Sequence, residues 1–107
     1  MNRTDPQMRI DQFPALPLEP GHWDAVFAEL RFSPQQRQVT ELVLRGLSDK
    51  QIASRLQIRP PTVRTYLNRI AARTRTRGRM ELAMHVLAIS HRVTVERLSF
   101  IAMTPKH

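Results

Sequence analysis

Nine permanent cations and no carboxylate lie between Lys50 and Met80: Lys50, Arg55, Arg59, Arg64, Arg69, Arg73, Arg75, Arg77 and Arg79. Apolar residues recur among them at helical spacing, so the charge is displayed on a folded surface and not on a loose tail. Cations at this density meet polyanions, and the commonest polyanion is a phosphodiester backbone. Other chemistries lack their residues. With no cysteine there is no disulfide, thiolate nucleophile or cysteine metal site. His22, His85, His91 and His107 show no ligand spacing and read as surface or packing residues. A P-loop, a glycine-rich dinucleotide turn and a nucleophilic Ser or Cys motif are absent. Neither an enzyme nor a metal or cofactor is expected.

The elements that must carry these cations announce their starts. Ser33-Pro34-Gln35-Gln36 has a capping Ser, Pro at the first helical position and Gln three residues after the cap. Val39, Leu42, Val43 and Leu47 supply its buried stripe, and Gly46 a stop. Ser48-Asp49-Lys50-Gln51 repeats the capping pattern, with Leu47 and Ile52 placed to form a hydrophobic staple. Pro60-Pro61 opens another helix, because prolines at its first two positions remove N–H groups that would lack partners. Val63, Leu67 and Ile70 form the core face of that helix. Pro61, Arg64, Thr65, Asn68, Ala72 and Arg75 line the opposite side. Gly78 precedes a further helix, with Glu81 near its positive end and Leu82, Ala83, Val86, Leu87 and Ile89 as its apolar surface.

The flanks are different in kind. Residues 1–21 hold four of the eight prolines and read as an extended arm. Residues 22–31, with Trp23, Val26, Phe27 and Leu30, read as an accessory helix that covers the core. Val95, Leu98, Ile101 and Ala102 after a Thr94 cap predict a separate short helix within a 93–107 tail. The fold class is therefore all-α, with a tri-helical core, a fourth helix and one extra helix at each end. At 107 residues and 41% hydrophobic, the chain has the size and composition of one soluble domain. Its net charge of +8 divides into −2 over residues 1–32, zero over 33–49, +9 over 50–80 and +1 over 81–107. Without an apolar run of about 18 residues, no membrane association is expected and the location reads as cytoplasmic, on the nucleoid.

Three segments together resemble the LuxR-type (GerE-like) helix-turn-helix domain. They are Phe32-Ser33-Pro34-Gln35-Gln36-Arg37-Gln38-Val39, Gly46-Leu47-Ser48-Asp49-Lys50-Gln51-Ile52-Ala53 and Thr62-Val63-Arg64-Thr65-Tyr66-Leu67. The resemblance implies a DNA-binding domain over residues 32–92 that regulates transcription. Arg79-Met80-Glu81-Leu82-Ala83 favours this family over the related region of bacterial sigma factors. Departures from the family pattern are Gln36 for Glu, Gln57 for the turn Gly, Arg59 for a capping Ser and Tyr66 for a frequent His. A fifth, Thr74-Arg75-Thr76 for Leu-Gly-Val, leaves open whether the third helix runs on or gives way to a basic loop.

In such a domain the third helix enters the major groove of double-stranded DNA. Arg64, Thr65 and Asn68 are then the base-contact candidates, since Arg can fork to guanine, Asn to adenine, and Thr can touch a thymine methyl. Lys50, Arg59, Thr62, Tyr66, Arg73 and Arg75 are the phosphate-contact candidates. The resemblance also implies a homodimer formed through the fourth helix, with Met84, Leu87, Ala88 and His91 as its face. The competing reading is a protein-interaction module that binds RNA polymerase or another regulator through the arm and the Trp23–Leu30 segment. Single-stranded nucleic acid is disfavoured because clustered aromatics for base stacking are missing.

Overall fold

The computed structural model describes residues 20–103, which form five helices: α1 Pro20–Leu30, α2 Pro34–Leu44, α3 Asp49–Leu56, α4 Pro60–Thr74 and α5 Arg79–Met103. Among the described residues there is no strand, and the fold is all-α as the periodicities predict. The arm proposed for residues 1–21 lies almost wholly outside the described residues.

Both capping boxes are complete. The Ser33 hydroxyl accepts from the Gln36 amide at 3.1 Å while the Gln36 side chain accepts from the Ser33 amide at 3.0 Å. Ser48 and Gln51 repeat the exchange at 3.2 and 2.8 Å. Each box satisfies amides that a helix start otherwise leaves without partners. The Leu47–Ile52 staple across the second box is fully buried on both sides. At Arg59 the α4 cap has extended backbone but no side-chain hydrogen bond, so Pro60 and Pro61 open that helix without help from a cap side chain.

The first four helices end with a residue in the left-handed region, and glycine occupies only one of these stops. Gly46 has φ 89°, whereas Arg31, Gln57 and Arg75 have φ 57°, 58° and 58°. The following amide closes each end by bonding five residues back: Phe32 to Phe27 at 3.4 Å, Leu47 to Leu42 at 3.1 Å, Ile58 to Ala53 at 2.9 Å and Thr76 to Ala71 at 3.0 Å. This geometry commonly carries an apolar contact from the residue after the stop, and Phe32, Leu47 and Ile58 all reach the core. Thr76 departs from that pattern. Its hydroxyl pairs with that of Thr74 at 2.8 Å, and Thr74 also donates to the Ile70 carbonyl at 2.9 Å. The question left by Thr74-Arg75-Thr76 is thereby answered: α4 stops at Thr74, and Arg75 takes the backbone shape a glycine would take.

A left-handed conformation costs a side-chain-bearing residue roughly 1–2 kcal/mol, while glycine adds unfolded-state entropy of about 0.5–1 kcal/mol. Gln57→Gly is therefore expected to stabilise the fold by about 0.5–1 kcal/mol. Chemical denaturation of the two chains checks this, and an unchanged or lowered midpoint would contradict it.

One core joins all five helices. Trp23, Val26 and Phe27 of α1 are buried with Val39, Leu42 and Val43 of α2, Ile52 of α3, Val63, Leu67 and Ile70 of α4, and Leu82 and Val86 of α5. The Trp23–Leu30 segment thus contributes buried aromatic mass. It is tied down by polar links as well: buried His22 shares a 2.7 Å hydrogen bond between Nε2 and Ser90 Oγ, and Glu29 pairs with Arg92. Arg37 of α2 bonds Asp24 at 2.8 Å and Glu41 at 2.6 Å and lies 5.0 Å from the Phe27 ring centre. The Glu41 hydrogen bond, ahead of partial burial that works against it, pushes the Arg37 pKa above its ordinary value.

The separate helix expected after Thr94 does not form. Residues 79–103 make one unbroken helix of 25 residues. Neither Gly nor Pro stands between Ser90 and Thr94, so nothing there ends a helix. Arg92 also bonds Glu96 one turn on, at 3.7 Å, across the expected break.

Candidate nucleic-acid interface

Two helices joined by a tight turn position the candidate surface. The turn Gln57-Ile58-Arg59 sets α4 across α3, and the buried Val63, Leu67 and Ile70 fix which side of α4 faces inward. Arg64, Thr65, Asn68, Ala72 and Arg75 consequently face solvent. This is the helix-turn-helix arrangement, with α4 in the place of the groove-entering helix.

The three base-contact candidates sit together on that exposed side, each in a different state. Asn68 is exposed, makes no hydrogen bond among the described residues and keeps its donors and acceptor for a ligand. The exposed Thr65 donates its hydroxyl to the Pro61 carbonyl at 3.1 Å, and the same oxygen can still accept a hydrogen bond. Arg64 is 62% exposed and donates Nη2 to Asp49 Oδ2 at 2.5 Å.

The phosphate-contact candidates form a looser ring. Lys50, Arg59 and Arg75 are exposed at the start of α3, the cap of α4 and the end of α4. Thr62 is half-buried in the first turn of α4. The half-buried Tyr66 accepts a 2.9 Å hydrogen bond at its phenolic oxygen from Gln35 of α2. Arg73 donates to the Arg31 carbonyl at 2.6 Å and so closes the end of α1, a structural task that its place in the basic run does not reveal.

Charge is sorted over the molecule. Asp24, Glu29, Glu41 and Glu96 are each taken by Arg37 or Arg92, away from α4. Lys50, Arg55, Arg59, Arg69 and Arg75 have no carboxylate partner among the described residues. Arg55 and Arg69 are two exposed cations that the motif reading does not assign. The residues missed altogether are Asp49 and Arg79. Arg79 Nη1 donates to the Leu47 carbonyl at 2.5 Å and Nη2 pairs with Asp49 Oδ1. Asp49 lies one residue outside the basic block and its partners are 15 and 30 positions away, so no local spacing signals the bridge.

Among the described residues no helix is long and apolar enough to cross a membrane, and no group of acidic or His side chains could hold a metal ion. The architecture is that of a helix-turn-helix regulatory domain. Residues 30–86 match the family described as bacterial regulatory proteins, luxR family, and the chain belongs to it. It is 39% identical over 59 residues to a protein of Cyanophora paradoxa named probable transcriptional regulator ycf29, covering 55% of this chain and 28% of that one. It is 35% identical over 66 residues to response regulator Rre1 of Synechocystis, covering 62% of this chain and 28% of the relative. The chain thus spans little more than a quarter of the length of these two relatives. No solved structure matches it.

Proposed function

We propose that this domain binds double-stranded DNA with α4 in the major groove, and that it regulates transcription in the cytoplasm, on the nucleoid. The observation that carries the reading is the outward side of α4. It is polar, set on a rigid buried stripe, and ringed by cations without carboxylate partners among the described residues. Arg64, Thr65 and Asn68 read base edges, while Lys50, Arg59, Thr62, Tyr66, Arg73 and Arg75 hold phosphates and fix register. The names of the two relatives, a transcriptional regulator and a response regulator, agree with this assignment.

The two kinds of contact separate by substitution. Arg64→Ala is expected to cost about 1–3 kcal/mol on a preferred duplex and little on a scrambled one. Arg75→Ala is expected to weaken both alike. Titration of each variant against both duplexes decides the roles, and equal losses on the two duplexes for Arg64→Ala would remove it as a reader.

The same reading pairs two copies through α5. Met84, Leu87, Ala88 and His91 are exposed on the side opposite the buried Leu82, Val86 and Ser90, and Val95, Leu98 and Ile101 continue the exposed apolar surface along the helix. Paired subunits would address half-sites about one helical turn apart. The competing reading puts RNA polymerase or another regulator on the arm and the Trp23–Leu30 segment, but Trp23, Val26 and Phe27 of that segment are buried in the core and offer a partner no aromatic surface.

A further inference from the structure

Asp49 is paired with a residue of the proposed groove-facing surface, and it binds two arginines at once. It begins α3, directly after the Ser48 cap. Its Oδ2 accepts from Arg64 on α4, and its Oδ1 pairs with Arg79 at the start of α5. Arg79 in turn holds the backbone carbonyl of Leu47 at 2.5 Å. Leu47 is held in place at two points: its side chain is fully buried and its amide bonds the Leu42 carbonyl at 3.1 Å. A line of restraint therefore runs from the core through Arg79 and Asp49 to the exposed guanidinium of Arg64.

Stability alone does not account for this arrangement. Ion pairs in which one partner is well exposed contribute little to folding, and Arg64 is 62% exposed while Asp49 is 23% exposed. What the bridge does supply is order. A free arginine has many rotamers and, beside DNA, is drawn to the nearest phosphate as readily as to a base. A guanidinium tethered through one Nη2 hydrogen keeps four of its five N–H groups for another acceptor. Fixing it in advance lowers the entropy lost on forming a forked contact. The carboxylate also repels phosphate at that spot, which penalises binding that does not satisfy Arg64.

We propose that Asp49 is a specificity-determining positioning residue: anchored through Arg79 on the Leu47 carbonyl, it holds Arg64 where it meets a base edge and keeps it from the nearest phosphate. The proposal rests on the reading of α4 as the groove-entering helix. Asp49 itself touches no base. Its removal raises affinity for arbitrary DNA while lowering the preference for the right sequence, a pair of changes that damage to the fold would not produce.

The test uses duplexes of roughly 20 base pairs, about two helical turns, enriched from a random library by the wild-type chain, and scrambled duplexes of the same composition. For Asp49→Asn, the ratio of affinities for enriched over scrambled duplexes is expected to fall about five- to tenfold, with tighter binding to the scrambled set. The salt slope on scrambled duplexes should steepen by about one, as Arg64 takes a phosphate. In an Arg64→Ala background the same substitution should leave the ratio unchanged. Arg79→Gln, which cuts the anchor and keeps the carboxylate, should lower the ratio in part and serves if Asp49→Asn unfolds. A ratio within twofold of wild type for the folded variants, or an equal fall without Arg64, overturns the proposal. If Arg64→Ala lowers the ratio and Asp49→Asn does not, only this proposal fails. If the wild-type chain enriches no sequence, the reading of α4 fails and this proposal with it.

Discussion

Raising monovalent salt from about 50 to about 200 mM is expected to weaken binding to duplex DNA by two to three orders of magnitude for a single subunit. About five phosphates neutralised per subunit give a slope of roughly −4 to −5 in log K against log salt. Lys50, Arg59 and Arg75 supply cations that no carboxylate among the described residues competes for, and Arg73 contributes beside its bond to the Arg31 carbonyl. Arg55 and Arg69 are in reserve on the same helices. Two subunits engaged together through α5 would double the slope and lose roughly five orders over the same range. Filter or fluorescence titrations across the salt series read both quantities. A slope shallower than about −2 would mean that the basic surface is not the contact, and a single-subunit slope at full occupancy would remove the dimer.

Leu47→Ala should cost about 3–5 kcal/mol of folding stability, a large part of what a domain this size possesses. Leu47 is fully buried, closes α2 through its amide, packs opposite Ile52 as the staple that sets α3, and lends its carbonyl to Arg79. Truncation leaves a cavity at the junction of α2 and α3, and the surrounding helices cannot collapse into it without moving the turn that sets α3. Denaturant unfolding followed by circular dichroism measures the loss; a cost under about 1 kcal/mol would show that the junction relaxes freely. A surface control such as Ser99→Ala should stay within about 0.5 kcal/mol of wild type.

Helix starts were legible in the amino-acid pattern because their chemistry is local. Ser33 with Gln36, Ser48 with Gln51, and Pro60-Pro61 each need only neighbours within one turn, and each forms as its spacing predicts. The burial of Val63, Leu67 and Ile70, and with it the outward direction of Arg64 and Asn68, follows from the same periodicity. Helix ends were harder to read. A left-handed Gln57 or Arg75 carries no compositional signal, since the stop is enforced by the apolar residue that follows Gln57 and by the hydroxyl pair that flanks Arg75. The expected break at Thr94 rested on a residue that can cap a helix but need not, and the unbroken hydrogen-bonded turns between Ser90 and Glu96 override it. Least legible were the long-range ties: Asp49 with Arg64 and Arg79, Arg73 with Arg31, and His22 with Ser90 join residues 15 to 68 positions apart. Only the packed fold brings them together.

The uninterrupted α5 has a mechanical consequence. Because each residue of a helix advances about 1.5 Å and turns about 100°, the bearing of Phe100 or Met103 about the rod is dictated by Leu82 and Val86, which are locked into the interior. Whatever grips the distal turns is held at a set azimuth relative to the DNA-facing side, with no swivel between them. Torque applied at one end would be carried to the other through one continuous helix, so the molecule resembles a key whose shank and bit are cut from one piece.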